Sequence, residues 1–295
     1  SWDSMERSHA LAALGRLGGT GCHRTLVNML RMNRIPDAVQ SAAVISIADR
    51  APTMTPEERL DVAAALRAAL SLDRHWQVRG LGHIALGTLL GADLRDGQHG
   101  VLDRTDALRY LEQQARKGPT ISRPFSSLGL ALAAYDVQPA SRPIAAALRR
   151  IRKTFVWGLA HGRGSDAVVG AYAVGAGIAC AEGARPALLE ILGDSNRYFV
   201  LRGHAALALG QLGRATEEVR QALFAATRER VSPFVQRSAV RALALMQIEG
   251  IRDELVAQLD GKKTSRQAIA VVAGSLGRVR DPDVIAKLLE LAQDE

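Results

Sequence analysis

The main candidate for binding chemistry is a cluster of basic residues in the middle of the chain. The sequence has 295 residues, with 38 Lys and Arg against 30 Asp and Glu, and segment 104–165 holds eleven of the basic residues but only three of the acidic ones. This local excess of eight equals the net charge of +8 of the whole chain, so the flanking segments are neutral. A local basic surface attracts anionic partners, whereas an evenly spread excess mainly aids solubility.

An amphipathic helix is predicted inside this cluster. Ile144, Leu148, Ile151 and Phe155 recur at helical spacing and define an apolar face. The basic residues fall outside that face, where guanidinium groups can make paired hydrogen bonds to phosphate or carboxylate. We therefore predict a surface for nucleic acid or another acidic partner, although a plain solvated helix face has the same pattern. The candidate residues are Arg142, Arg149, Arg150, Arg152, Lys153 and Arg163.

A second irregular segment precedes the basic cluster. Residues 91–100 read as an insertion loop that contains Asp93, Asp96 and His99. These side chains could ligate a metal, but their spacing matches no known metal motif, so no metal site is predicted. The sequence also lacks the short motifs of zinc proteases, α/β-hydrolases and P-loop enzymes. We predict no catalytic residue and no cofactor, and therefore a protein that is not an enzyme.

A row of arginines recurs within a repeated segment. The sequence of 200–213 is matched by residues 77–87, 7–18 and 266–277, and Val235 onward follows it more loosely. The arginine of each copy could face an anionic ligand or could join neighbouring repeats through turn residues such as Asp73 and Asn196. We favour the structural ladder, because repeated positions serve contacts between repeats first. The ladder residues are Arg7, Arg79, Arg202, Arg237 and Arg266.

The repeated segment predicts the second helix of a two-helix unit. Leu201, Ala205 and Leu209 share one face, Gly203 and Gly210 fall on a stripe of small residues, and a glycine follows the last apolar position. Second helices are predicted over 5–17, 38–49, 77–90, 124–135, 166–180, 199–212, 234–247 and 265–276. First helices are predicted over 24–31, 56–72, 104–117, 144–160, 184–192, 217–230, 252–259 and 283–292.

These repeats resemble the HEAT-repeat family, in particular the short bacterial HEAT-like units of the phycobilisome-lyase type. The resemblance rests on the pattern Val-x-Arg-x-x-Ala-x-x-Ala-Leu-Gly-x-Leu-Gly, seen best at 200–213 and 78–87. It implies an all-α fold, a right-handed α-solenoid (superhelix) of about eight helical pairs. It also implies a protein-binding scaffold, since most such arrays bind other proteins. DNA-repair glycosylase-like activity, using Trp157 and Asp166, or a lyase activity remain further alternatives from the same resemblance.

We therefore expect one repeat array over 1–295, cut from a longer protein, with an irregular basic central section at 91–165. The expected function is non-enzymatic protein–protein interaction, with nucleic-acid binding by the central repeats as the alternative. The longest uncharged run, 167–181, is shorter than the roughly 20 residues of a membrane span. Two cysteines far apart in sequence favour a reducing compartment, so a cytoplasmic location is expected.

Overall fold

The fold is helical throughout the part of the chain that the structure describes. The computed structural model describes residues 3–19, 21–32, 35–71, 75–162, 165–228, 232–246, 273 and 282–293. The helices are α1 (Ser4–Leu17), α2 (Cys22–Arg31), α3 (Asp37–Arg50), α4 (Pro56–Leu70), α5 (Trp76–Arg95), α6 (Gly100–Arg104), α7 (Ala107–Lys117), α8 (Arg123–Ala134), α9 (Arg142–His161), α10 (Asp166–Ile178), α11 (Arg185–Gly193), α12 (Phe199–Leu212), α13 (Glu217–Thr227), α14 (Pro233–Met246) and α15 (Pro282–Gln293). Two short 3-10 turns, Ala51–Thr53 and Glu182–Ala184, precede α4 and α11.

The helices pack in pairs, and the second helices of successive pairs stack on each other. The chain forms two compact units, unit 1 over Ser1–Gly158 and unit 2 over Leu159–Glu295. In unit 1 the second helices α1, α3, α5 and α8 stack in that order, with α2 on α3, α4 on α5 and α7 on α8. In unit 2 the stack is α10, α12 and α14, with α11 on α12 and α13 on α14. Each unit is therefore an all-α solenoid stack, as predicted.

Local sequence signals set where the helices begin and end. Thr55 caps α4 by accepting a hydrogen bond from the Glu58 amide at 3.3 Å, and Glu58 Oε2 accepts from the Thr55 amide at 3.0 Å. Pro56 then occupies the first helical turn, where its missing N–H costs nothing. At the other end of a pair, Gly213 closes α12 with φ of 71°, a left-handed conformation that favours glycine. Both signals confirm the boundaries predicted from the sequence.

Small residues let the second helices approach until their backbones touch. A Cβ at Gly210 would lie 2.5 Å from the Cα of Ala242, and one at Gly87 would lie 2.0 Å from the Gly129 carbonyl oxygen. Neither distance leaves room for a side chain, so glycine is needed at both contacts. The predicted stripe of small residues is confirmed as the stacking face, and it lies between α12 and α14 in unit 2 and between α5 and α8 in unit 1.

The predicted helices agree with the structure within a few residues wherever they are described. The predicted second helix 265–276 and first helix 252–259 lie outside the described residues, apart from residue 273, which is helical. The hand of the predicted superhelix and the single array over 1–295 stay predictions. No helix in the described ranges is both long enough and apolar enough to cross a bilayer.

Candidate functional site

Two outer helices of unit 1 carry a set of exposed cations. Arg109 and Lys117 are exposed on α7, and Arg142, Arg149 and Lys153 are exposed on α9. We call these five residues the basic surface. The α9 residues are separated by seven and four positions, so they lie along one face of the helix. Arg142, Arg149 and Lys153 therefore point in a common direction.

Arg150 differs from its neighbours on α9 because it has an acidic partner. Its Nη2 lies 2.5 Å from Glu112 Oε2 of α7, a carboxylate whose side chain is only 16% exposed. This pair neutralises the acid at the contact between α7 and α9. Arg152 is half-buried and has a partner of its own, and Arg163 lies outside the described residues. Of the six predicted residues, Arg142, Arg149 and Lys153 are thus the ones that the structure places on the basic surface.

The opposite face of α9 is buried, as the amphipathic pattern predicts. Ile144, Leu148, Ile151 and Phe155 are each 1% exposed or less. Arg116 of α7 joins the two helices from the polar side. Its Nη2 donates to Thr154 Oγ1 at 3.1 Å, and its guanidinium lies 5.0 Å from the centre of the Trp157 ring. Trp157 is half-buried, and this cation–π contact links it to α7 of unit 1.

One member of the predicted arginine row lies inside a helical pair. Arg202 is buried, and its Nε donates at 3.0 Å to the carbonyl oxygen of Leu192 in the last turn of α11. This contact joins the first and second helices of one pair. Arg7, Arg79 and Arg237 are half-buried, and Arg266 lies outside the described residues. Asp73 also lies outside them, so the ladder through turn residues stays a prediction.

A row of aromatic residues at the start of the second helices was not predicted. Trp76 begins α5 and Phe199 begins α12, and each is 41% exposed. The Trp76 ring lies 6.3 Å from Phe125 on α8, and the Phe199 ring lies 6.2 Å from Phe234 on α14. Tyr198, 52% exposed, adds a ring 4.5 Å from Phe199. We call these five residues the aromatic row; the name refers to their similar positions at the starts of second helices in each unit.

The half-buried rings of the row are seated on glycines of the preceding second helix. A Cβ at Gly80 would lie 2.9 Å from the Phe125 ring, and one at Gly203 would lie 2.3 Å from the Phe234 ring. Phe125 and Phe234 therefore anchor the row, while the first ring of each pair faces solvent. The sequence did contain a signal, because the pattern aromatic-x-x-Arg occurs at Trp76, Phe199 and Phe234.

A buried polar network joins four helices of unit 1. His83 of α5 is 2% exposed, with Nε2 at 3.2 Å from the Tyr110 hydroxyl and Nδ1 at 3.1 Å from Ser126 Oγ. Burial, followed by the nearby charges of Arg79 and Arg67, lowers the pKa of His83 to about 4. Arg67 of α4 also stacks over the Tyr110 ring at 3.7 Å. A neutral, enclosed histidine of this kind holds helices together rather than meeting a substrate.

The predicted insertion loop at 91–100 is wrong in its first half, because α5 continues to Arg95, and only residues 96–99 lie between α5 and α6. Asp93 is 1% exposed and accepts a hydrogen bond from the Val101 amide at 2.9 Å. Arg59 of α4 is fully buried beside it, with Nε 3.7 Å from Asp93 Oδ1 and Nη2 2.6 Å from Asp96 Oδ2. These acids serve an ion-pair cluster between α4, α5 and α6. His99 lies outside it and pairs with Asp103.

This cluster shows how the interior compensates a buried charge. Burial raises the pKa of Asp93, and the amide of Val101 and the Arg59 guanidinium oppose that rise. The third nitrogen of the Arg59 guanidinium is also paired, because Nη1 donates to the Met54 carbonyl oxygen at 3.1 Å. Across the described ranges, no group of three or more His, Cys, Asp and Glu residues is arranged to hold a metal ion.

Comparison with family models supports the repeat assignment for one part of the chain. Residues 147–244 match the model of the family described as HEAT repeats, which supports the assignment of helical repeats to this chain. No curated protein matches the sequence. Among solved structures, the chain is similar to human deoxyhypusine hydroxylase in complex with glycerol, with 20% sequence identity and a TM-score of 0.36. That match covers 84% of this chain and 81% of the other.

Proposed function

We propose that this HEAT-repeat chain is a non-enzymatic scaffold that binds another protein through its aromatic row. The observation that carries the proposal is the recurrence of an exposed ring at the first residue of a second helix, Trp76 in unit 1 and Phe199 in unit 2. Repeat proteins usually contact a partner through equivalent positions of successive repeats. A ring that recurs in this way and remains exposed fits a contact residue better than a core residue.

The chemistry of the row supports a protein partner. Trp and Tyr are over-represented among the few interface residues that carry most of the binding energy, because they bury a large area at a small cost in entropy. The first ring of each pair rests against a second ring that is itself fixed on a glycine, at Gly80 or Gly203. The exposed rings are therefore held in place before binding, which lowers the cost of association.

The proposal is tested by placing a photo-reactive amino acid at position 76 or 199 of the full chain in its native cells. A cross-linked protein is identified, purified and titrated against the unmodified chain. Trp76→Ala and Phe199→Ala are then expected to weaken its binding by about 2 kcal/mol or more each. Met32→Ala is the matched control, since Met32 is exposed to a similar degree, 46%, but lies outside the row.

Two results would contradict the proposal. Binding that is unchanged in both ring variants would remove the aromatic row from the interface. A loss of binding that is equally large in the Met32→Ala control would point to a general loss of exposed apolar area instead. Raising the salt concentration separates this mode from charge-driven binding, because an interface with an apolar core depends less on salt.

Nucleic-acid binding by the basic surface is the second candidate function. The observation in its favour is that the acid nearest to it, Glu112, is already paired with Arg150, which leaves the exposed cations of α7 and α9 in excess. The remaining acids of segment 104–165, Asp106 and Asp136, lie in turns with φ of 51° and 54°. Cations arranged along two adjacent helices can track a phosphate backbone.

A further inference from the structure

Two arginines of unit 1, Arg67 of α4 and Arg79 of α5, converge on Tyr110 of α7. The guanidinium carbon of Arg67 lies 3.7 Å from the centre of the Tyr110 ring. Arg79 lies one helical turn before His83, so these two side chains share a face of α5, and His83 Nε2 lies 3.2 Å from the Tyr110 hydroxyl. Three helices therefore bring two cations to one tyrosine.

The ionisable groups beside the two arginines show that both positive charges are close together and not compensated. Burial, then Arg79 and Arg67, lower the pKa of His83 to about 4. Burial raises the pKa of Tyr110, and the same two arginines oppose that rise. At neither group does a carboxylate of the described ranges contribute. The junction of α4, α5 and α7 therefore has a positive potential.

Both guanidiniums are closed off at Nε and open at their terminal nitrogens. The two side chains are half-buried as a whole, and only their Nε atoms are buried without a hydrogen bond. Among the described residues, neither arginine has an acidic partner or a hydrogen-bond acceptor. Arg59 of the same unit, by contrast, is paired with Asp93 and Asp96. A half-buried cation without a counter-charge is costly, and an anion that reaches its terminal N–H groups offsets that cost.

We propose that Arg67 and Arg79 form a binding site for a phosphate group at the junction of α4, α5 and α7. A phosphate monoester carries a charge of about −1.5 to −2 at neutral pH and has several acceptor oxygens, so it can balance both cations and accept from both. A carboxylate balances only one of them. The ring of Tyr110 holds the Arg67 guanidinium in place before binding. No residue of the aromatic row or the basic surface takes part, so the site does not depend on the proposed scaffold function.

The full chain is titrated with inorganic phosphate and with acetate at neutral pH and constant ionic strength, and thermal unfolding is recorded. A ligand that binds the folded state raises Tm, and phosphate should do so at a lower concentration than acetate. Arg67→Met and Arg79→Met are each expected to weaken phosphate binding at least about tenfold, which is about 1.4 kcal/mol. Arg16→Met is the matched control, because Arg16 is an exposed arginine in the last turn of α1.

Two phosphate monoesters distinguish the sources of the group. N-acetyl phosphoserine amide stands for a phosphorylated side chain, and glucose 6-phosphate stands for a small phosphorylated molecule. Binding of either ester supports the site, and the tighter one identifies the source. A rise in Tm that is as large in both Met variants as in Arg16→Met would be a general salt effect and would contradict the site.

NMR of the histidine rings gives a readout that a purely structural role of the two arginines would not produce. Phosphate at this site should shift the ring signals of His83 at neutral pH and leave those of His204 in unit 2 unchanged, and His83→Gln identifies the signals. The double variant Arg67→Met, Arg79→Met should lose the shift but stay folded, because it removes two like charges that repel each other. A His83 signal that does not shift in wild type, or that still shifts in the double variant, overturns the proposal.

Asp73 is the competing partner of Arg79, since the sequence predicts the two as a ladder pair, and it lies outside the described residues. Asp73→Asn removes that carboxylate and keeps the size of the side chain. With a phosphate site, wild type and Asp73→Asn should both respond to phosphate, and both should lose the response when Arg67→Met is added. A wild type that does not respond, together with a response gained in Asp73→Asn, would show that Asp73 already neutralises Arg79, and the proposed site would be wrong.

Discussion

His83 shows what a single buried side chain contributes to unit 1. It joins Tyr110 and Ser126, and its pKa is lowered to about 4 from an ordinary value of 6.5. Between these two pH values the unfolded chain binds a proton that the folded chain does not. The stability from this residue is therefore complete above pH 6.5 and is lost as the pH falls toward 4.

The expected size of this effect is up to about 3 kcal/mol, since each unit of pKa shift corresponds to about 1.4 kcal/mol. Urea unfolding at pH 7 and at pH 4.5 should show a much larger loss for wild type than for His83→Gln, which cannot titrate. The same comparison cancels the contribution of His204, whose pKa is also lowered by burial. Parallel losses in both proteins would show that His83 does not control the acid sensitivity.

Gly210 gives a second prediction at the scale of one residue. Its Cα faces Ala242 so closely that a Cβ would lie 2.5 Å from the Cα of that residue. Gly210→Leu should therefore force α12 and α14 apart and cost roughly 1–3 kcal/mol, as overpacking does in other cores. Gly193→Leu is a suitable control, because a Cβ there would meet no described atom within 4 Å. Equal melting temperatures for Gly210→Leu and wild type would contradict this account of the contact.

At the scale of helices, the sequence predicts the second helices well because their signals are local. The predicted range 199–212 is the range of α12, and 38–49 lies within α3. Periodic apolar positions mark the core, small residues mark the stacking face, and a glycine marks the end of the helix. All three signals lie inside the helix that they predict, so no knowledge of the partner helix is needed.

The sequence fails where a helix depends on residues far away in the chain. Residues 91–95 read as loop because of Gly91 and Asp93, yet they are helical, and Asp93 lies beside Arg59 of another helix. The aromatic row is missed for the same reason. The sequence shows that an aromatic residue stands at position 76 or 199. Whether its ring is buried depends on the side chains of the next repeat.

The basic surface makes a prediction at the scale of helices α7 and α9. Replacing Arg142, Arg149 and Lys153 by Ser should reduce affinity for duplex DNA and flatten its salt dependence, by about 0.9 in log–log slope for each phosphate that the variant no longer neutralises. Fluorescence anisotropy over a series of salt concentrations measures both effects. Helicity and melting should change little, since the three side chains are exposed.

The control for this set removes three exposed arginines from elsewhere, Arg16, Arg31 and Arg214. If this protein binds DNA as weakly as the first variant does, the overall charge of the chain attracts DNA and the basic surface has no special role. If neither set changes the affinity, or if wild type does not bind DNA at low salt, the second candidate function is wrong.

At the scale of the whole molecule, stability should follow the division into stacks. In a repeat protein each helical pair is stabilised mainly by its immediate neighbours. Gly210→Leu is therefore expected to increase amide exchange in α12 and α14 of unit 2 and to leave α3 and α5 of unit 1 as they are in wild type. Hydrogen–deuterium exchange with mass spectrometry resolves the two sets. Faster exchange throughout the chain would show that the units unfold together.

The touching backbones of α5 and α8 also restrict how this molecule could have arisen and how it could be redesigned. A Cβ on Gly87 would lie 2.0 Å from the Gly129 carbonyl oxygen, and a Cβ on Gly129 would lie 2.4 Å from the His83 carbonyl oxygen. The repeats are consequently not interchangeable modules. A duplication, deletion or exchange that brought a bulkier residue to either position would prevent α5 and α8 from packing. A new repeat must therefore be inserted together with a matching face on its neighbour.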